Sequence, residues 1–249
     1  MIGTLLNIVA VIIGAGLGTL LGNRLPARVR ETVMHGLGLA TLTIGIQLSL
    51  SQLAVAEISL KRLTFIVVLA SILLGGLLGE ALNLQARLEA LGDRLEARLA
   101  GQHTPGQTSA STFSRGFVTA SVVFCVGPMA IIGAMRDGLT GDYTLLAIKS
   151  LLDGFSALAF ASSLGIGVIF SSLSILVYQG SLALGAQWIT AVLSDVAIAE
   201  MSAAGGILML GIGLALLDIK RVRVANLLPA VFLAPILTAL AMPLVALVG

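Results

Sequence analysis

The sequence predicts an all-α fold, a polytopic bundle of about eight transmembrane helices, and three observations predict it. Of the 249 residues, 57% are hydrophobic and 10% charged, whereas a soluble domain carries about 25% charged residues. Mean hydropathy is +1.07, so one water-soluble core could not hide this much apolar surface. The chain also holds 29 glycines, in keeping with membrane helices, where Gly lets backbones approach closely.

A helix needs about 20 apolar residues to cross the hydrocarbon. Runs of that kind predict spans at Ile2–Gly22, Met34–Ala54, Leu63–Leu82, Phe117–Met135, Tyr143–Leu164, Gly165–Ala186, Gly205–Leu217 with a short upstream extension, and Ala225–Val248. The first run lacks the basic leader of a signal peptide, and further apolar helices follow it, so it reads as a mature membrane helix. Its Gly14, Gly18 and Gly22 form two overlapping GxxxG units, a signal for close helix packing on the same chain or another.

Three amphipathic stretches lie between the spans. Pro26–Val33 carries Arg28, Arg30 and Glu31. Leu84–Leu99 places Leu84, Leu88, Leu91, Leu95 and Leu99 on one stripe of a charged helix, as expected for a helix on the membrane surface. Trp188–Met201, with Asp195 and Glu200, is a weaker example. Gly101–Ser111 reads as a flexible loop.

The fourth span has Gly127-Pro128 near its middle. Proline lacks an N–H and crowds the preceding turn. The freed backbone groups find no partner in lipid, so such a break is expected where it lines a cavity, or as a kink satisfied by neighbouring helices. The fifth span carries Lys149 and Asp153, four residues apart and therefore on one helix face. Counted from the outer end of the span, they lie roughly 10 and 16 Å deep, level with the break. Intramembrane ionisable residues cost at least about 2.5–3.5 kcal/mol each to insert, and they mark substrate or proton sites by default. The alternative is an ion pair that locks the helix into the bundle. A candidate substrate or ion site is thus expected at Lys149, Asp153, Gly127 and Pro128, with Ser121, Gln179 and Asn7 as polar neighbours. Buried amides such as Asn7, Gln47, Gln179 and Asn226 also serve as plain interhelical hydrogen bonds.

Basic residues orient the chain. Arg24, Arg28, Arg30, Arg87, Arg94, Arg98, Arg115, Lys220, Arg221 and Arg223 fall on one side, and only Lys61, Arg62 and Arg136 on the other. The positive-inside rule puts the first set in the cytoplasm and both termini outside. At one constant offset, Gly18, Met34 and Gly38 align with Gly185, Met201 and Gly205. Spans 1–3 and 6–8 would then be an inverted repeat, a construction common in secondary transporters. Chance is the alternative in a chain so rich in glycine. The expected organisation is one membrane domain over 1–249: a first unit at 1–83, a surface helix and loop at 84–111, central spans at 112–164, and a second unit at 165–249.

The run from Gly116 through the FCVGPMA and KSLLDG segments, followed by Tyr178-Gln179-Gly180, resembles the YqgA/YdfK-like family of bacterial membrane proteins, domain of unknown function 554. The opening Gly3–Asn7 and the Gly-rich helix after it are similar too, so the resemblance covers essentially the whole chain. It implies the bacterial inner membrane and supplies no substrate.

Enzymatic activity is not expected. HExxH, GxSxG and facing carboxylate pairs are absent from the sequence, and Cys125 has no histidine partner in prospect. The single cysteine forbids an internal disulfide, and His35 and His103 have no zinc-type spacing. No cofactor, metal or nucleic acid is expected. The expected partners are the bilayer and a small solute or ion, and self-association is left open. The function so predicted is a secondary transporter, with a small ion channel or a membrane scaffold as alternatives.

Overall fold

A computed structural model describes residues 1–22, 26–60, 63–88, 90, 94, 109–189 and 193–248. Every regular element among them is helical: α1 (Ile2–Gly22), α2 (Ala27–Leu60), α3 (Leu63–Ala81), α4 (Ser109–Cys125), α5 (Pro128–Leu139), α6 (Thr144–Leu164), a 3-10 segment (Gly165–Phe170), α7 (Ser171–Leu184), α8 (Ala186–Ile189), α9 (Asp195–Leu216), α10 (Val224–Leu227) and α11 (Pro229–Val248). Of the expected surface helix, residues 84–88 are helical; most of the remainder lies outside the described residues, as do Arg24, Lys61, Arg62, Arg98 and His103.

Each of the eight expected spans corresponds to helical structure, and six helices, or seven spans if the bent pair counts as one, are long and apolar enough to cross a membrane. The expected amphipathic stretch Pro26–Val33 is not separate: α2 runs from Ala27 through it to Leu60. Likewise Asp195–Met201 belongs to the long, enclosed helix α9, where Ala197 through Gly206 are all buried. Ser194 caps that helix by accepting a 3.2 Å hydrogen bond from the Ala197 N–H. The tail of the expected loop, residues 109–111, is already the first turn of α4.

The fourth span is two helices. Phe113–Cys125 and Met129–Leu139 meet at 64°. Gly127 makes the corner with φ 123° and ψ 153°, a conformation open essentially to glycine alone. Pro128 then opens α5 at the first helical position, where its missing N–H needs no partner.

Thr144–Leu184 is predominantly apolar and continuous in length, but the chain reverses direction within it. Gly22, at the far end of α1, abuts the Ser162 carbonyl near the end of α6. Asn7, near the start of α1, bonds to Gln179 on α7. Between Ser162 and Gln179 the chain has therefore travelled back along α1. The reversal occurs at the 3-10 segment, whose first residue, Gly165, has φ 77° and ψ −161°.

Glycine sets the closest packing. Gly14, Gly18 and Gly22 face the carbonyls of Gly154, Leu158 and Ser162 in the same order, so α1 and α6 run parallel. A Cβ at any of the three would sit 2.1–2.2 Å from those oxygens. The GxxxG signal thus has its partner within the chain. In α2 and α9, Gly38 meets Leu217, Gly45 meets Gly206, and the Ser49 hydroxyl donates to Ala203 O at 3.3 Å, an antiparallel pair. Gly75 and Gly79 on α3 meet Ala230 and Asn226 in the same antiparallel sense.

Exposed faces are apolar. Leu5, Ile13 and Leu20 on α1 and Phe65, Leu73 and Leu77 on α3 point outward. For a chain with this many long apolar helices, such faces meet lipid tails rather than water.

Candidate functional site

Helix α6 carries the site's charges because its buried stripe is polar. Lys149, Ser150 and Asp153 face inward, while Leu151, Leu152 and Phe155 face out. Lys149 and Asp153 are 6% and 7% exposed and form an ion pair across one helical turn. Two like-sized hydrophobes would pack there at no electrostatic penalty. Desolvating two ions costs several kcal/mol each, which their attraction offsets only with good geometry and further hydrogen bonds.

Those further bonds come from α1. The Asn7 amide donates to the Asp153 Oδ2 at 2.9 Å and, more loosely, to the Gln179 Oε1 at 3.4 Å. Asn7 and Gln179 are both fully buried. Their remaining polar atoms, Asn7 Oδ1 and Gln179 Nε2, find no hydrogen-bond partner. Leaving a buried amide half-satisfied costs about 1–3 kcal/mol per group. The site therefore holds one unused acceptor and one unused donor beside an ion pair.

Cys125, the last residue of α4, lies within electrostatic range of Lys149 and Asp153. One turn earlier on α4, the Ser121 hydroxyl bonds to Ser174 Oγ on α7 at 2.8 Å. At Gly127 a side chain would meet no atom within 4 Å, so the corner opens onto free space. Around it, Val123, Cys125, Val126 and Gly127 are only half-buried, although Phe124 and Ala130 are sealed.

The structure thus links Lys149, Asp153, Asn7 and Gln179 through one chain of contacts; the Gly127-Pro128 break is linked to them through Cys125, and Ser121 bonds to Ser174 on α7. Gly14, Gly18 and Gly22 hold α1 on α6, which keeps Asn7 at Asp153. Asn226 belongs elsewhere: it donates to Glu80 Oε2 at 2.6 Å, beside an ion pair between Arg223 and Glu80 at 2.6 Å.

Two buried acids were not expected as site residues. Asp137 on α5 accepts a 3.0 Å hydrogen bond from the Gly3 N–H, capping the positive end of the α1 dipole. In sequence Asp137 is an acid next to Arg136 at a span end, a pattern that reads as solvated. Glu200 on α9 is fully buried. Its position in a short charged stretch before a Gly-rich run made it look interfacial.

No group of His, Cys, Asp and Glu able to hold a metal occurs among the described residues.

The family model described as protein of unknown function (DUF554) matches residues 2–239. The uncharacterized protein YqgA of Escherichia coli (strain K12) is 36% identical over 238 residues, 96% of this chain and 96% of its own length. The uncharacterized membrane protein YdfK of Bacillus subtilis (strain 168) is 32% identical over 236 residues, 95% of each chain. No solved structure matches the chain.

Proposed function

The chain belongs to the DUF554 family of membrane proteins, and from that premise and its buried polar core we propose that it is a secondary transporter. Its cargo is a small solute or ion, bound at the Lys149–Asp153 pair beside the helix break. The observation that carries the reading is the pair itself. It is buried, held by Asn7, flanked by unused amide groups, and set against a helix corner that opens onto free space. Structure at membrane depth that spends a broken helix and two charges in one place is typical of substrate sites.

In this reading Asp153 binds a cation or proton, and Lys149 binds an anionic group or replaces the coupling ion when the site is empty. Three antiparallel neighbours, α1 with α7, α2 with α9 and α3 with α11, support the inverted repeat. Rocking of those units about the central α4–α6 would expose the site to either side. The bacterial inner membrane, with both termini outside, is the proposed location. No catalytic residue is assigned.

The test uses the purified chain in liposomes on a solid-supported membrane, with concentration jumps of sodium, potassium, chloride and phosphate. Wild-type protein gives transient currents that saturate with concentration, and Lys149→Met and Asp153→Asn give none. Currents that never saturate favour a channel. Absence of current for all four ions removes inorganic-ion transport from the reading.

A further inference from the structure

Glu200 is the strongest unexplained group in the molecule. It is 0% exposed, and neither carboxylate oxygen has a hydrogen-bond partner. The Thr64 hydroxyl on α3 is its polar neighbour, yet no bond of good geometry joins them, and that hydroxyl is itself unpartnered. An ionised carboxylate is strongly disfavoured in such a place, because no group among the described residues offsets its lost hydration.

Among the described residues, the helices packed on α9 bring no charge to it. On α2, Glu57 is exposed, and Arg28, Glu31 and His35 are exposed at the opposite end. On α3, Glu80 is engaged with Arg223 far from Thr64. On α4, Arg115 donates to the Ala215 carbonyl at the other end of α9, and Cys125 faces the Lys149–Asp153 pair. On α5, Arg136 is exposed and Asp137 caps α1. Helices α10 and α11 contain no titratable residue. A metal cation needs about six oxygen ligands, and the described residues offer this carboxylate and one hydroxyl. A proton needs one oxygen.

Glu200 also has a mechanical link to the site. It lies one and a half turns, about 8 Å, before Gly205 on α9. Gly205 is where the break rests: a Cβ there would fall 2.1 Å from Val126 Cγ1. Val126 is the residue between Cys125 and the Gly127 corner. Any shift of α9 is therefore felt by the break.

We propose that Glu200 is a proton-binding site, and that loss of its proton shifts α9 and repositions the α4–α5 break. This rests on the carrier reading and supplies its coupling proton. Release leaves a charge with no partner among the described residues, so α9 moves away from α2 or α3 to let water in. The Val126–Gly205 contact passes that movement to the ion-pair site.

The test reads protonation and coupling without a transported solute. Dicyclohexylcarbodiimide reacts with protonated carboxyls in apolar surroundings; at neutral pH it labels Glu200 in the full-length wild type, as located by peptide mass spectrometry. Next, the reaction rate of Cys125 with a small hydrophilic thiol reagent is followed from mildly acidic to mildly alkaline pH. The ratio of wild type to Glu200→Gln cancels the thiol's own titration. The proposal expects that ratio to change with pH. Should E200Q fail to accumulate, carbodiimide-treated wild type, in which Glu200 is locked neutral, replaces it in the ratio. An unlabelled Glu200, or a ratio flat with pH, overturns the proposal. Failure of the carrier reading shows instead as missing ion currents, which these two readouts do not involve.

Discussion

The side-chain amide of Asn7, near the start of the chain, donates a 2.9 Å hydrogen bond to the carboxylate of Asp153, in the middle of it. That contact ties the first helix to the charged helix. Asp153 is thereby held by two partners, Lys149 and Asn7.

A purely structural pair and a binding pair differ in what a double replacement does. Removing one member of a buried pair strands the other and destabilises by about 3–5 kcal/mol, whereas replacing both with hydrophobes is often neutral. Thermal unfolding in detergent should show Lys149→Met and Asp153→Leu each lowering stability, and the double variant regaining it. The double variant should remain without ion currents. A double variant that transports would assign the pair to structure alone.

Gly18 and Gly16 make an internally controlled pair on α1. A Cβ at Gly18 meets the Leu158 oxygen at 2.2 Å, while one at Gly16 meets nothing within 4 Å. Gly18→Ala should cost about 1–3 kcal/mol by overpacking. Gly16→Ala should be neutral, or stabilising by up to about 1 kcal/mol through helix propensity. Equal unfolding temperatures for the two variants would contradict the parallel α1–α6 packing.

Gly127 has free space but a forbidding backbone. Alanine there should cost about 1–3 kcal/mol from its φ of 123° alone. The loss should appear in denaturant titration, and ion currents should fall with it. An unchanged midpoint would mean that the chain does not turn at Gly127.

Gly205 and Val126 should be coupled. Gly205→Ala alone drives a methyl against Val126 Cγ1 and should destabilise by about 1–3 kcal/mol. Val126→Ala removes that atom, so the double variant should recover part of the loss. Contacting residues show interaction energies of about 0.5–3 kcal/mol in such cycles. Strict additivity would place the break away from α9.

The spans were legible because each is a long apolar run, and the hydrocarbon thickness fixes what length means. Lys149 and Asp153 were legible together because four-residue spacing on a helix leaves little freedom. Gly127-Pro128 announced a break through proline chemistry, although its 64° bend depends on how α4 and α5 pack. Asn7 and Gln179 stood out as amides in apolar runs, but their meeting at Asp153 needs the parallel α1–α6 pair and the reversal at Gly165. Periodicity carries no such long-range information. Glu200 was hidden for a different reason. A charge five residues into a helix resembles a solvated end, and only the enclosure of α9 by its neighbours makes it deep. The same enclosure explains why Asp195–Met201 is part of a buried helix and not an amphipathic surface stretch.

Cys125 offers the most direct test, since it is the only cysteine in the chain and ends the helix at the break. The measurement is its labelling, in intact membranes, by a charged thiol reagent too polar to dissolve in lipid. If the break and the ion pair line a path that water reaches, Cys125 reacts, and Asp153→Asn changes the rate. If Cys125 stays unlabelled until the protein is unfolded in detergent, the pair is sealed in a dry bundle, and the transport account is contradicted.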